Sequence, residues 1–342
     1  MWDEDERDEI LYFSTIYGGC GKTLECVAEI NRNLVQPREI PIKYPFSDSD
    51  VLSAFKEGIK ASRVARKVPR FAFFDTVSSL PGIRMPFEQL TKICKEEGIL
   101  SVIDGAHGVG HLPLDLSALD CDFFTSNCHK WLFVPRGCAV FYVPVRNQHM
   151  IRSSIPTSHG FQPRTGGGGT PSSLPPSLNS EFVNNFEFVG TIDNSSYFVV
   201  GDAIKWRDEV CGGENAIMEY NDNLAREAAK IVAKVLGTKI LDNDEQTLTK
   251  CCMSNVLLPL EVSEVPIPGK NTVKRANILT VTFWMQEVLV AEHKTFLAVF
   301  FMQGQWWVRL SGQIYLDLED FEWAGQRLKE VCERAGKAEF LK

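Results

Sequence analysis

Two charged residues stand behind strand-like apolar runs. Asp104 directly follows Leu100-Ser101-Val102-Ile103, and Lys130 comes shortly after Phe123-Phe124-Thr125-Ser126. Open α/β sheets bind ligands at the carboxyl ends of their strands, so both side chains are predicted to face one crevice. A partly desolvated lysine is a nucleophile toward an aldehyde, and a nearby carboxylate can hold a protonated heterocyclic nitrogen. These two requirements together define a pyridoxal phosphate site.

Each of the two residues also has a plainer interpretation. An aspartate after a strand is often a turn or helix-capping residue, and a lone lysine is most often on the solvated surface. The neighbouring residues favour the functional interpretation, because they form two longer motifs, Val102-Ile103-Asp104-Gly105-Ala106-His107 and Thr125-Ser126-Asn127-Cys128-His129-Lys130-Trp131.

The two motifs, in this order, resemble the class V aminotransferase family, whose members are fold type I pyridoxal phosphate enzymes. The family includes cysteine desulfurases, isopenicillin N epimerases and fungal lyases of ergothioneine synthesis. The resemblance extends from about Asp8 to Phe340. It implies a pyridoxal 5'-phosphate cofactor, an amino-acid substrate and a homodimer with shared active sites.

The resemblance also implies roles for residues of both motifs. Lys130 is implied to form the Schiff base with the cofactor, Asp104 to bind the pyridinium nitrogen, and His107 to lie near the phenolic oxygen of the ring. Ser126 and His129 are implied as phosphate contacts, which their hydrogen-bonding groups permit. Lys130, once released from the cofactor, is a suitable general base for the α-proton of a substrate.

Two downstream segments resemble family segments as well. Phe188-Val189-Gly190-Thr191-Ile192-Asp193 resembles the segment that reaches the phosphate from the neighbouring subunit, which implies Thr191 as a cofactor contact. Trp306-Trp307-Val308-Arg309-Leu310-Ser311 resembles the strand whose arginine binds the substrate carboxylate, a role that suits the planar guanidinium of Arg309. A structural ion pair at a sheet edge is the alternative role for Arg309.

The elements that must position these residues follow a βαβ rhythm in the first part of the chain. Continuous apolar runs predict strands at 10–14, 70–75, 99–104, 121–126 and 138–143, and helices are predicted at 48–61 and 86–97. Such runs are typical of strands covered on both faces. We therefore predict an α/β fold with a mostly parallel central sheet, as in the large domain of fold type I enzymes.

The second part of the chain has a different pattern. It predicts helices at 196–210, 214–236 and 318–334, and strands at 253–260, 296–301 and 306–310. We predict a large cofactor domain over residues 1–235 and a small α+β domain over 236–342. The glycine- and proline-rich stretch at 163–178 is predicted to be a loop, because it combines free backbones with missing amide donors.

Composition narrows the class of protein. The 342 residues include 36 Lys and Arg against 44 Asp and Glu, a net charge of −8, so no global basic field favours nucleic acid or an anionic membrane as a partner. The longest apolar runs are too short to span a bilayer. The acidic N-terminus does not resemble a signal peptide, and the ten scattered cysteines are typical of free thiols, which together predict a cytoplasmic protein. No metal site is predicted.

The position of Lys130 affects the functional expectation. In the resembled family a further segment, which carries a phosphate-binding turn, precedes the strand at Asp8, so this chain is expected to be truncated at its N-terminus. The sequence at 293–296 and 306–311 resembles fungal members of the family, which favours a C–S lyase of the hercynylcysteine sulfoxide lyase type. The alternatives are a family member that keeps the fold without activity, an isopenicillin N epimerase-like enzyme and a cysteine desulfurase-like enzyme.

Overall fold

The structure is a computed structural model that describes residues 7–152, 157, 161 and 178–341. The loop predicted at 163–178 lies outside the described residues, apart from Leu178. In chain order the strands are β1 (Asp8–Phe13), β2 (Val35–Ile40), β3 (Val68–Asp75), β4 (Leu100–Asp104), β5 (Phe123–Asn127), β6 (Ala139–Tyr142), β7 (Met253–Leu257), β8 (Glu261–Val262), β9 (Thr272–Val273), β10 (Ala298–Met302) and β11 (Gln305–Ser311).

The helices occupy the segments between the strands and the long stretch before β7. They are α1 (Gly18–Ile30), α2 (Asp48–Val64), α3 (Phe87–Glu97), α4 (Leu116–Leu119), α5 (Cys128–Trp131), α6 (Val145–Gln148), α7 (Glu181–Glu187), α8 (Ser195–Phe198), α9 (Val200–Glu209), α10 (Glu214–Leu236), α11 (Ile278–Ala291) and α12 (Leu318–Gly336). Short 3-10 turns cover Arg275–Asn277 and Glu339–Leu341. Within the part of the chain described here, no helix is both long enough and apolar enough to cross a bilayer.

The central sheet has the strand order β2-β1-β3-β4-β5-β6. All neighbouring pairs are parallel except β5 and β6, which are antiparallel. The prediction of an α/β fold with a mostly parallel central sheet is therefore confirmed. Helices α2 and α3 bury one face of this sheet, with Phe55, Phe74 and Leu90 in the shared core.

The structure shows the capping residues at which helices α2 and α3 begin or end. Helix α2 starts at a capping box, in which Ser47 and Asp50 each accept a backbone N–H of the other. Helix α3 follows Pro86 and ends at Gly98, whose φ of 69° is left-handed and favours glycine. These signals explain why α2 and α3 were predictable from sequence.

The C-terminal part holds a second, antiparallel sheet with the order β10-β11-β7. Helices α10, α11 and α12 pack on it, and Val232, Trp306 and Leu328 are fully buried in their common core. Helix α10 contacts α12 and β7 extensively. The domain boundary between residues 235 and 236 stays a prediction.

Several elements were not predicted from the sequence, and for helix α1, strand β2 and helix α11 the local composition explains why. Helix α1 begins with Gly18-Gly19-Cys20-Gly21, a composition that disfavours helices. Strand β2 contains Pro37, which is tolerated because β2 is at the edge of the sheet. Helix α11 is apolar on several sides and rich in β-branched residues, so its period is weak.

Candidate active site

Asp104 is the last residue of β4, and its carboxylate is buried at the end of the central sheet. Its Oδ1 accepts the backbone N–H of Ala106 at 2.8 Å, and its Oδ2 lies 3.4 Å from Sγ of Cys20. Gly105 allows the chain to turn here, because a Cβ at that position would lie 2.3 Å from the ring of Phe124. The Asp-Gly pair thus fixes the carboxylate where β4 leaves the sheet.

Lys130 lies on α5, the short helix that directly follows β5. Its Nζ is 3.3 Å from Nε2 of His107, and Nε1 of Trp131 donates to Nδ1 of the same histidine at 3.0 Å. Since Nδ1 accepts this bond, a neutral His107 carries its proton on Nε2. That proton can be donated only to the lone pair of an uncharged Lys130 amine.

The electrostatics of this pair agree with the hydrogen bonds. Burial and the positive charges of Lys130 and Arg309 lower the pKa of His107 well below its ordinary value. Burial also lowers the pKa of Lys130, with a further contribution from Arg309, although Asp104 and Asp75 act in the opposite direction. The site therefore favours a neutral histidine and a lysine that loses its proton more easily than in water.

Arg309 comes from β11 of the second sheet and extends toward β3 and β4. Its Nη1 donates to the backbone carbonyl of Ser79 at 2.8 Å. Its stem packs against Gly82, where a Cβ would lie 2.7 Å from Cδ of the arginine. Its Nε is buried without a partner among the described residues. The guanidinium is thus held in place by its stem and one carbonyl, with donors left for a ligand.

A single cavity of about 540 Å³ joins three of the predicted site residues, which are Lys130, His107 and Arg309. Its outer part is lined by aromatic side chains that include Tyr315 and Trp323. The structure thus brings together residues as distant in the chain as His107 and Arg309.

The other predicted residues are placed differently. Ser126 is buried at the end of β5, and its Oγ accepts the backbone N–H of Val109 at 3.0 Å, which leaves its own proton for another acceptor. Nδ1 of His129 lies 3.2 Å from the carbonyl oxygen of Cys138. Thr191 is exposed between α7 and α8, and no contact in the described residues joins it to the rest of the site. The implied roles of these residues stay predictions.

Sequence reasoning missed two residues beside Asp104. Asp75 ends β3 in register with Asp104 and is buried, and burial together with Asp104 raises its pKa well above the ordinary value. Cys20 approaches from α1, a helix that was not predicted. The signal for Asp75 was present, because it ends the apolar run 70–74 just as Asp104 ends its own run. No local signal placed Cys20.

The residues present fit the cofactor that the motifs imply. Within the described residues, the carboxylate of Asp104 accepts hydrogen bonds from the uncharged donors of Ala106 and Cys20. Lys130 supplies an amine whose pKa is lowered, and Ser126 supplies a hydroxyl at the end of a strand. Arg309 adds an unpaired guanidinium nitrogen in the cavity that Lys130 also lines. These groups match a pyridinium nitrogen, an aldehyde, a phosphate and a substrate carboxylate. In the described residues, no group of three or more His, Cys, Asp or Glu side chains is arranged to hold a metal ion.

Comparison with known proteins identifies the family. The profile of aminotransferase class V matches residues 60–263. The chain belongs to the aminotransferase class-V family. It is accordingly a pyridoxal phosphate-dependent enzyme, in the family that also contains C–S lyases and desulfurases. The matched range includes both Asp104 and Lys130.

Relatives and solved structures cover nearly the whole of this class-V chain. It is 36% identical over 345 residues to the L-cysteine desulfhydrase-like protein lolT1 of Epichloe uncinata, with 96% of this chain and 75% of the relative covered. It is 31% identical over 328 residues to the hercynylcysteine sulfoxide lyase of Schizosaccharomyces pombe, with 96% and 74% covered. The structure of the cystine C–S lyase C-DES with its product cysteine persulfide superposes with a TM-score of 0.66 at 16% identity, and covers 96% of this chain and 77% of that one. This last likeness shows the fold.

Proposed function

We propose that this class-V enzyme cleaves a C–S bond of an amino-acid substrate and is a lyase of the hercynylcysteine sulfoxide lyase type. The observation that carries the proposal is the shared cavity, where the Lys130 amine and the Arg309 guanidinium face the same space. The 31% identity to a hercynylcysteine sulfoxide lyase supports this choice among family activities.

The residues of the chain have distinct tasks in this proposal. Arg309 binds the α-carboxylate of the substrate, and Asp104 binds the ring nitrogen of the cofactor. Lys130 removes the α-proton, since burial lowers its pKa and so favours the neutral amine that a base requires. His107 stays neutral and keeps the Lys130 amine oriented. Bound pyridoxal phosphate supplies the electron sink that stabilises negative charge at the α-carbon.

The size and lining of the cavity favour a substrate larger than cysteine. The space of about 540 Å³ extends past Arg309 to Tyr315 and Trp323, and both of these side chains are partly exposed. The cofactor and the substrate share this volume, and the part beside Tyr315 and Trp323 is left for a substituent on the sulfur. An amino acid with a bulky substituent on its sulfur fills it, which agrees with a thioether sulfoxide.

The thiol nearest to the site argues against desulfurase chemistry. A desulfurase needs a reactive thiolate to accept sulfur. Cys20 lies beside Asp104, and burial followed by the charge of Asp104 raises its pKa to about 12. At neutral pH Cys20 is therefore a protonated thiol and a poor sulfur acceptor.

We further propose that the enzyme is a cytoplasmic homodimer in which Thr191 contacts the cofactor of the partner subunit. Thr191 is exposed beside a surface where Phe188, Ile192 and Phe198 are 48%, 53% and 82% exposed. Such a patch marks an interaction surface. All ten cysteines are free, as in reducing compartments. Light scattering of the purified protein tests the dimer, and monomer mass for wild type contradicts it.

The enzymatic proposal is tested with purified protein and pyridoxal phosphate. Wild type is expected to develop visible cofactor absorbance, which Lys130→Ala abolishes. Hercynylcysteine sulfoxide is then expected to yield pyruvate and ammonia, because cleavage of the Cβ–S bond releases the sulfur as a sulfenic acid and leaves a three-carbon enamine that water hydrolyses. Alanine from cysteine would identify a desulfurase, and an inverted α-carbon would identify an epimerase. Absence of the absorbance in wild type would favour a family member that keeps the fold without activity.

A further inference from the structure

Cys20 contacts the carboxylate that ends β4. It lies in the first turn of α1, and its Sγ is 3.4 Å from Oδ2 of Asp104. The other oxygen, Oδ1, accepts the backbone N–H of Ala106. The thiol is thus the side-chain donor on the oxygen that the Asp-Gly turn leaves free.

Three ionisable groups influence the thiol from the neighbouring elements. Asp104 on β4 and Asp75 on β3 are acidic, and Lys130 on α5 is basic. Burial and the Asp104 carboxylate disfavour a thiolate, whereas the lysine acts in the opposite direction. The thiol therefore keeps its proton and is a hydrogen-bond donor rather than a nucleophile.

A carboxylate oxygen has two lone pairs, so Oδ2 can accept the thiol and still accept a second donor. Without Cys20, Asp104 would be held by one backbone bond and could rotate about its terminal torsion. Rotation would misalign the oxygen that a ring nitrogen needs. Helix α1 consequently controls the orientation of a residue on the central sheet.

We propose that Cys20 is a positioning residue, whose thiol holds the Asp104 carboxylate in the orientation that binds the ring nitrogen of the cofactor. This inference rests on the role assigned to Asp104 above. It adds a contact to Asp104 from the side chain of Cys20 on helix α1.

The contact itself is tested in the absence of cofactor. Alkylation of Cys20 by iodoacetamide, measured by peptide mass spectrometry at pH 8, is expected to be slow in wild type. Asp104→Asn removes the negative charge and is expected to accelerate alkylation about threefold to tenfold, since a decrease of one pKa unit raises the thiolate fraction tenfold. Cys26, exposed on the same helix, is the internal control and keeps its rate. Equal rates at Cys20 in the two proteins would overturn the proposal.

The effect on the cofactor is tested with a pair of variants. Cys20→Ala removes the donor and is expected to weaken binding of pyridoxal phosphate about threefold to tenfold, the usual range for one hydrogen bond. Cys20→Ser keeps a donor and is expected to restore the wild-type affinity. The pH midpoint of the cofactor absorbance is expected to move in Cys20→Ala and to return in Cys20→Ser, whereas Cys26→Ala changes neither quantity.

The cofactor affinities of these variants distinguish the role of Cys20 from that of Asp104. If Asp104→Asn loses cofactor affinity while both Cys20 variants behave as wild type, the role of Cys20 is refuted and that of Asp104 stands. If Asp104→Asn keeps wild-type affinity, the assigned role of Asp104 fails, and the inference fails with it. Equal losses in Cys20→Ala and Cys20→Ser would mean that the site needs the shape of cysteine rather than its donor.

Discussion

Asp75 and Asp104 are paired in register at the carboxyl ends of β3 and β4, and both carboxyl groups are buried. Adjacent side chains of parallel strands in register point to the same face of a sheet. Two carboxylates in such a place cannot both ionise at low cost. Burial and the neighbouring Asp104 raise the pKa of Asp75 well above its ordinary value, so Asp75 holds its proton more tightly than an exposed aspartate does.

The first prediction concerns the pH dependence of stability. Native Asp75 holds its proton more tightly than the unfolded chain does, so the free energy of unfolding falls as pH rises above about 4. Asp75→Asn removes this fall, and its stability relative to wild type is expected to increase with pH by up to about 1.4 kcal/mol per unit. Denaturant unfolding between pH 4 and pH 8 measures the difference.

Asp50 supplies a control of opposite sign. Hydrogen bonds from Ser47 lower the pKa of Asp50, so this carboxylate stabilises the chain above its unfolded pKa, and the stabilisation is lost as pH falls. The stability difference between wild type and Asp50→Asn is therefore expected to develop below about pH 4 and to stay constant between pH 4 and pH 8. Parallel pH profiles for wild type and Asp75→Asn would contradict the assigned protonation of Asp75.

The second prediction concerns the tautomer of His107. Trp131→Phe removes the donor to Nδ1, so the proton of His107 is no longer confined to Nε2. Lys130 then loses a hydrogen bond that favours its neutral form, and its pKa is expected to rise. The pH midpoint for cofactor binding should move upward by about half a unit to one unit, as one hydrogen bond allows.

Absorbance titration with pyridoxal phosphate across pH measures this midpoint. Trp206→Phe is the matched control, because Trp206 packs edge-on against Phe133 away from the cavity. The control is expected to keep the wild-type midpoint. An unchanged midpoint in Trp131→Phe would show that the indole does not set the histidine tautomer.

The third prediction uses the close contact between Gly82 and Arg309. A Cβ at residue 82 would lie 2.7 Å from Cδ of Arg309 and 3.0 Å from Cβ of Met253, so Gly82→Ala must displace the arginine. We expect KM for the amino-acid substrate to rise about tenfold, the effect of about 1.4 kcal/mol. Cofactor absorbance should stay as in wild type.

Gly201 on α9 has open space around it and serves as the control. Gly201→Ala is expected to leave KM unchanged and to raise the melting temperature slightly, because alanine is the better helix former. Steady-state kinetics and thermal melting of both variants distinguish displacement of Arg309 from a general loss of folding. A wild-type KM for Gly82→Ala would show that the arginine is not positioned by this contact.

The fourth prediction concerns Arg309 directly. Arg309→Leu removes the guanidinium and is expected to raise KM about tenfold to a hundredfold, since a hydrogen bond to a charged group contributes about 1.5–3 kcal/mol. The cofactor absorbance should persist, because Lys130 and Asp104 are intact. Arg63→Leu, which breaks an ion pair with Glu97 on the surface, is the control. Loss of the absorbance in Arg309→Leu would identify Arg309 as a structural residue instead.

The sequence by itself predicted the mostly parallel sheet and placed Asp104 and Lys130 at the carboxyl ends of two of its strands. Apolar runs report burial on both faces, and Asp104 and Lys130 stand next to such runs, so local order places them at the sheet edge. The motifs around them are also contiguous in the chain. Site residues that lie in contiguous motifs, such as Asp104 and Lys130, could therefore be predicted from the sequence alone.

Only the tertiary structure showed how residues from distant segments come together with these motifs. Cys20 reaches Asp104 from a glycine-rich helix with no clear helical pattern, and Arg309 reaches the cavity across two sheets. Whether Asp75 keeps its proton depends on burial and on a neighbour 29 positions away in the chain. Contacts between distant segments and the loss of solvent are properties of packing, and for that reason linear sequence patterns do not contain them.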